Sequence, residues 1–249
     1  MYPTLNLGPL VLPTTGLVYL FGTWLALTLI ERAAKRLGLN PEAMYGLAVT
    51  SLVVGFVGAR LLFVVEYWAA FQENLLGIIW PLNSGFNVWG ALVFGLAGGF
   101  FYGRYKQLPF WPTLDALAPG LLMAAVTISL ADFLAGPGYG TLTSMPWGVS
   151  FFGIRRHPVQ LYEIVAGLAA LALWWRIANR RTFPGQLFLL TLILYSAARL
   201  FLDAFRDNAW LTANGYHITQ IIALGGLIGG LILLARFSTR RSPSTVHTL

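Results

Sequence analysis

The stretch RRHPVQLYEIVAGLAALALWW, Arg155–Trp175, sets five polar side chains directly against an apolar run. Arg155, Arg156, His157, Gln160 and Glu163 come first, and from Ile164 onward no charged or strongly polar side chain appears until Arg176. Such a run reads as a helix that crosses hydrocarbon. The question it raises is why a chain poor in charge gathers so much polarity at the mouth of one helix.

Composition extends the membrane reading to the whole chain. Of 249 residues, 57% are hydrophobic and only 10% are charged, with a mean hydropathy of +0.69; a soluble domain is about a quarter charged. The fold class this implies is an all-α integral membrane protein. Cysteine is absent, which excludes disulfides, thiolate metal sites and a cysteine nucleophile of the chain's own. Any thiol in its chemistry must belong to a substrate. The net charge of +7 does not point to nucleic acid, because the basic residues flank apolar segments instead of forming a basic face. His157, His217 and His247 are scattered, so no metal-ligand spacing exists and no metal or other cofactor is expected. The opening MYPTLNLGPLVLPTTG lacks the basic region and small-residue cleavage site of a signal peptide, and the N-terminus is expected to be retained.

Seven apolar segments approach the roughly 20 residues needed to span a bilayer, at about 13–30, 44–67, 87–103, 113–131, 160–176, 186–206 and 217–236. Basic residues alternate between them. Arg32, Lys35 and Arg36, then Arg104 and Lys106, then Arg176, Arg180 and Arg181, and finally Arg236, Arg240 and Arg241 fall on one side, 11 of the 16 Lys and Arg. The positive-inside rule makes that side cytoplasmic, with the N-terminus outside and the C-terminus inside. No internal repeat, low-complexity tract or long linker divides the chain, so residues 1–249 read as one transmembrane domain. Gly95, Gly99 and Gly103, and Gly225 with Gly229, read as small-residue helix packing. Only Pro119, in DALAPGLLMA, interrupts a segment near its middle. A transporter would be expected to show repeat symmetry or several broken helices.

The five remaining arginines, Arg60, Arg155, Arg156, Arg199 and Arg206, lie within the segments or at their outer ends. There an unpaired Arg costs about 2.5–3.5 kcal/mol or more at the helix centre. Six of the nine acids share that outer half: Glu66, Glu73, Asp132, Glu163, Asp203 and Asp207. Mutual ion pairing between helices is one explanation, and a site that needs cations is the other. In YSAARLFLDAFRDN, Tyr195, Arg199, Asp203 and Arg206 fall within about 80° of one helix face at 100° per residue. The same arithmetic sets Arg60 beside Tyr67, and His157, Gln160 and Glu163 on one side of the fifth segment. Guanidinium groups beside a tyrosine in a water-poor cleft suit phosphate oxygens, which the planar fork matches bidentately. For a protein in lipid the nearest such ligand is a phospholipid headgroup. The loop ADFLAGPGYG, with Gly136, Gly138 and Gly140 around Pro137, reads either as a plain turn or as a place where backbone amides approach an anion.

Four of these pieces, HPVQLYE, GARLLFVVEYW, ADFLAGPGYG and YSAARLFLDAFR, in their order and spacing from about residue 44 to 210, resemble the bacterial prolipoprotein diacylglyceryl transferase family. The resemblance implies an enzyme of the bacterial plasma membrane with its active site facing the outer leaflet. It would move the diacylglyceryl group of phosphatidylglycerol onto the lipobox cysteine of an exported preprotein and release glycerol phosphate. It implies that Arg199 and Tyr195 act in catalysis, with Asp132 and His157 as further candidates and Glu163 a competing base. Arg60, Gly140, Gly136, Gln160, Glu163 and Arg206 would then line the substrate site. The chain also departs from the family pattern. Where the family reads Gly-Arg-Ile-Gly-Asn-Phe this chain reads ISLADF, with Ser129 at the arginine position and Asp132 at the asparagine position. Asn87 or Trp89 stands where a histidine is expected before the third helix, and Thr15 is nearest to an expected tyrosine. The departures leave open an enzyme on the same scaffold using another phospholipid or acceptor, and a catalytically silent lipid-binding protein.

The orientation is checked by cysteine labelling in intact cells. Ser144→Cys, in the loop after the fourth segment, should react with a membrane-impermeant thiol reagent added outside, and Ser242→Cys should not. Reversed labelling would move the arginines to the cytoplasmic face.

Overall fold

The structure is a computed structural model describing residues 4–7, 10–72, 75–79, 85–136, 139–151, 153–207 and 210–239. Glu73, Pro137, Gly138, Arg240, Arg241, Ser242 and His247 lie outside the described residues. A helix occupies each of the seven apolar segments: α1 (Thr14–Leu37), α2 (Pro41–Glu66), α3 (Val88–Tyr105), α4 (Phe110–Ala135), α5 (Val159–Ile177), α6 (Gln186–Leu202) and α7 (Ile218–Thr239). All but α3 are long and apolar enough to cross a membrane. The 18 residues of α3 include five glycines and Arg104, which lower its hydropathy. Two short antiparallel hairpins accompany the helices, β1 (Thr4–Leu7) with β2 (Leu10–Pro13) and β3 (Val149–Phe151) with β4 (Ile154–Arg156).

Burial is distributed as a lipid solvent requires. Leu96 is 68% exposed, and Phe21, Trp24, Phe101 and Ile222 are exposed with it, whereas Asp115 and Asp203 are at 0% and 1%. Water-soluble proteins show the reverse order. The chain is therefore a multi-pass membrane protein that buries a few charged groups, Arg60, Asp115 and Asp203, among its helices.

Helix ends follow local sequence. α1 runs past Ile30 to Leu37 because Lys35 pairs with Glu31 at 2.7 Å one turn away, and Lys35 and Arg36 complement the helix dipole. Gly38 then takes φ +73°. Asn40 caps α2 by accepting from Ala43 N at 3.1 Å, with Pro41 in the first turn. α4 continues through Pro119, which is fully buried.

The chain forms two compact units, Ile30–Thr113 and the remainder, Met1–Leu29 with Leu114–Leu249. In the first, α2 and α3 meet backbone to backbone. A Cβ on Gly55 would fall 2.9 Å from Ala91 O, one on Gly90 2.8 Å from Gly58 O and one on Gly95 3.1 Å from Ser51 O. The small-residue reading of Gly95 and Gly99 therefore holds, since this approach excludes side chains.

In the second unit Ala26, Leu29, Leu122, Met123, Val126, Ala170 and Leu171 make a core in which α4 packs against α5. Asp115, buried in α4, accepts from Gly185 N at 2.7 Å and Phe188 N at 2.8 Å and so caps the start of α6, with Arg181 at 3.5 Å. On α7 the packing glycines are not the expected pair. A Cβ on Gly226 would lie 2.6 Å from Ser196 Oγ and one on Gly230 2.8 Å from Ile193 Cγ1, while at Gly225 and Gly229 it would meet nothing within 4 Å. The contact stripe is displaced by one residue, about 100° around the helix.

Gly226→Leu should therefore overpack the α6–α7 contact and cost about 1–3 kcal/mol, whereas Gly225→Leu should be nearly neutral. Thermal unfolding in detergent checks this; equal losses would contradict the register.

Candidate functional site

Two of the charged groups gathered at the mouth of α5, Arg156 and Glu163, find their partners on other elements of the same unit. Glu163, in the second turn of α5, is the centre. Its carboxylate accepts a short, charged hydrogen bond from Arg199 of α6, and Arg206 Nη2 donates to both of its oxygens, at 2.7 and 2.9 Å. Ser129 Oγ, from α4, donates to Oε2 at 2.8 Å. Asp132, one turn further along α4, lies within electrostatic reach of Arg206, Glu163 and Arg199. Tyr19 on α1, one turn beyond Thr15, is within reach of Asp132.

A second carboxylate joins the same arginines. α6 ends at Leu202, and a 3-10 turn, Asp203–Phe205, carries the chain on to Arg206 in extended conformation. The expected stripe is thus helical only as far as Arg199, and the turn brings the rest round. Asp203 Oδ1 stands 3.7 Å from Arg199 Nη2 and 4.0 Å from Arg206 Nε. Its Oδ2 accepts from His217 Nδ1 at 3.0 Å and from the Thr219 hydroxyl. Sequence spacing could not have found His217, which joins from a different segment.

Above these nodes the loop strand around Gly140 lies between two others. Thr141 N donates to Phe205 O at 2.8 Å and His157 N to Thr141 O at 3.0 Å. Gly140 is required there, because a Cβ would fall 2.3 Å from His157 O. Gly136, at φ +102°, ends α4 with its N–H on Asp132 O at 2.9 Å. Arg156 Nη1 donates to Gly140 O at 3.0 Å and to Asp207 Oδ2 at 2.6 Å, and its guanidinium lies 4.6 Å from the Tyr139 ring centroid. The ion-pair explanation therefore applies to Glu163, Asp203 and Asp207 alike.

His157, Gln160 and Glu163 do not share one helix face. α5 begins at Val159 after Pro158, so His157 precedes it and the helical arithmetic does not reach that far. Its Nδ1 is 3.2 Å from the Tyr162 hydroxyl, which also accepts from Trp147 Nε1 at 2.8 Å, and its ring packs edge-on against Phe205. Gln160, in the first turn of α5, is buried.

A groove of about 280 Å³ opens between α5 and α6. Ala166, Gly167, Ala169, Ala170 and Leu173 line it from α5, and Leu194, Ala198 and Leu202 from α6. Small residues on α5 leave the space. Tyr195, Arg199 and Glu163 also line it, with Tyr195 41% exposed.

Arg60 belongs to the other unit and is engaged within it. Its Nε donates to Ile78 O at 3.0 Å and Nη1 to Gly85 O at 2.9 Å, while Nη2 makes a short bond to Gly77 O. Phe63, Phe71 and Phe86 surround its guanidinium. These bonds tie down the segment between α2 and α3. Asn87 caps α3 through Gly90 N at 3.0 Å and donates to Glu66 at 2.7 Å. Trp89 is 62% exposed.

Fold and site together define a multi-pass membrane enzyme with an arginine cluster at the end of an apolar groove. A sequence profile of the family described as prolipoprotein diacylglyceryl transferase matches residues 3–236, and the chain belongs to that family. Among its relatives is the phosphatidylglycerol–prolipoprotein diacylglyceryl transferase of Clostridioides difficile (strain 630), 27% identical over 217 residues, 87% of each chain. The protein of the same name from Chloroflexus aggregans is 29% identical over 262 residues, covering 91% of this chain and 86% of that one.

Removing Glu163 should expose how the cluster is held. Glu163→Ala leaves two arginines without their shared carboxylate and should cost about 3–5 kcal/mol, against about 1 kcal/mol for Ser129→Ala. Thermal midpoints in detergent measure both, and similar small losses would mean that the carboxylate does not organise the site.

Proposed function

We infer that this chain transfers the diacylglyceryl group of phosphatidylglycerol to the thiol of a lipobox cysteine in an exported preprotein, and that it does so where the α5–α6 groove meets Arg199. The observation that carries the reading is the groove: apolar walls along its length, with Tyr195, Arg199 and Glu163 among its lining. Alanine and leucine walls suit an acyl chain, and a guanidinium at the polar end suits the phosphate that follows it. In this reading the chain acts as one transmembrane domain with seven crossings. Its N-terminus is outside and its C-terminus cytoplasmic, in a bacterial plasma membrane, so that the cluster faces the outer leaflet and the preprotein.

The reaction forms a carbon–sulfur bond at the glycerol carbon and breaks the bond from that carbon to a phosphate oxygen. Negative charge grows on the departing phosphate. Arg199 is the cation placed to meet it, since its side chain lines the groove while Arg206 is more enclosed. Glu163 and Asp203 hold the two guanidinium groups in a fixed arrangement, so little reorganisation is needed as charge develops. Tyr195, one turn along α6 and partly exposed, offers a hydroxyl to the same headgroup. Gly136 and Gly140 shape the outer loop, and Gln160, buried in the first turn of α5, supports the headgroup site. His157 and Arg156 brace that loop. Arg60 anchors the segment between α2 and α3.

Arg199→Ala should lower transfer of diacylglyceryl to a lipobox peptide by at least about 10²–10³-fold while leaving the folded yield in detergent largely intact. A variant that fails to fold, but is restored by exchanging the charges of Arg199 and Asp203, would assign the arginine to ion pairing alone. Ala166→Phe, which fills the groove without touching the cluster, should raise KM for phosphatidylglycerol with little change in folding. An unchanged KM would remove the groove from the lipid path.

A further inference from the structure

We propose that His217 is the base that takes the proton from the substrate thiol, with Asp203 holding it in position; the proposal rests on the transferase reading above. His217 stands immediately before α7, with its backbone paired to Leu211. Its ring reaches back to the turn after α6, where Nδ1 lies 3.0 Å from Asp203 Oδ2. An ionised carboxylate only accepts, so Nδ1 carries the hydrogen and the lone pair of Nε2 points away from the carboxylate. The Thr219 hydroxyl donates to the same carboxylate oxygen, which keeps it from swinging aside. Asp203 is 1% exposed and the His217 ring 27%. Nε2 makes no hydrogen bond among the described residues, and it is the part of the ring free to meet a substrate. A carboxylate, an oriented imidazole and an open Nε2 are the parts from which nucleophile-activating pairs are built.

Two other candidate bases, Glu163 and His157, are already engaged. Glu163 accepts from Ser129, Arg199 and Arg206. His157 has a tyrosine hydroxyl at Nδ1, 3.2 Å away, where His217 has a carboxylate. The need for a base is set by the reaction, because a free thiol titrates near 8.5 and attacks as thiolate. The charges around His217 also suit it. Asp203, Glu163 and Asp132 face Arg199 and Arg206 in this cluster. Asp203, hydrogen-bonded to His217 and standing 3.7 and 4.0 Å from the two arginines, is the carboxylate that accommodates the proton taken up by the ring. Tyr216 precedes it in the chain, and Gln220 on the first turn of α7 is neutral, bonding Leu200 O at 3.2 Å.

The step balances. The proton leaves sulfur for Nε2, sulfur bonds to the glycerol carbon, and the electron pair of the broken carbon–oxygen bond stays on the phosphate. The imidazolium then returns its proton to the released glycerol phosphate or to water. Because Asp203 also faces Arg199, one carboxylate positions both the base and the cation that receives the departing charge.

The test uses the full chain with phosphatidylglycerol and a lipobox peptide, following thioether formation against pH. His217→Asn retains an amide donor for Asp203 and removes the base. It should fold, lose at least about a hundredfold in kcat with KM for phosphatidylglycerol unchanged, and lose the acid limb of the pH profile. A peptide with selenocysteine at the lipobox position, whose selenol is already ionised at neutral pH, should recover most of the lost rate. Near-native activity of His217→Asn would overturn the proposal and leave His217 as a residue that only positions Asp203. Loss of activity without recovery by the selenol would overturn it as well. If the unmodified chain forms no thioether, the transferase reading fails, and this proposal falls with it.

Discussion

The structure of the candidate site depends on one carboxylate. Glu163 draws hydrogen bonds from α4, α6 and the turn beyond α6 to a point on α5. Without it Arg199 and Arg206 would be two guanidinium groups in a water-poor environment, each costly to keep there. With it, and with Asp203 facing both, they become a charge-balanced cluster with fixed geometry. The apolar body of each helix can then remain in lipid while one end carries charge, which answers why polarity collects at the mouth of α5.

Helix packing serves the same end by separate means in each unit. Glycines let α2 and α3 touch through their backbones, and Arg60 ties down the segment that joins them by bonding Ile78 O and Gly85 O. In the other unit Asp115 fixes the start of α6, so the register of Tyr195, Arg199 and Asp203 is set from both ends of that helix. A groove between α5 and α6 follows from Ala and Gly on one wall facing Leu and Tyr on the other. Its polar end is where the sequence places its only tyrosine–arginine pair four apart on α6.

Much of this was legible in the sequence, and the boundary of legibility is physical. Apolar length located all seven helices, because hydrocarbon thickness acts on each helix separately. Periodicity placed Tyr195 with Arg199, since both lie on one regular helix. It failed where regular geometry stops: Pro158 leaves His157 outside α5, and the 3-10 turn bends the stripe before Arg206. On α7 the contact stripe lies one residue away from the expected Gly225 and Gly229, because an all-apolar helix gives no polar face from which to fix rotation. Pairing between segments was visible only as an excess of outer charge. That His217 belongs to Asp203, or Ser129 to Glu163, depends on how α7 and α4 dock. Ser129 illustrates the point: as a departure from the family pattern it reads as a lost cation, whereas in the fold it supplies the third donor to the central carboxylate.

The pairing of the arginines and their proposed role in binding phosphate are compatible because the two uses need different donors. A guanidinium has five N–H groups. Arg199 directs Nη1 to Glu163 and Nη2 toward Asp203 at 3.7 Å, a distance too long for a hydrogen bond. The contact with Asp203 orients the group without saturating it, and the remaining donors are available along the edge that lines the groove. Phosphate entering there meets a cation already in place, with carboxylates behind it that keep its orientation and limit its charge. Tight neutralisation would blunt the attraction and bare arginines would destabilise the bundle in lipid. One strong partner and one distant partner for Arg199 satisfy both constraints within a single turn of α6.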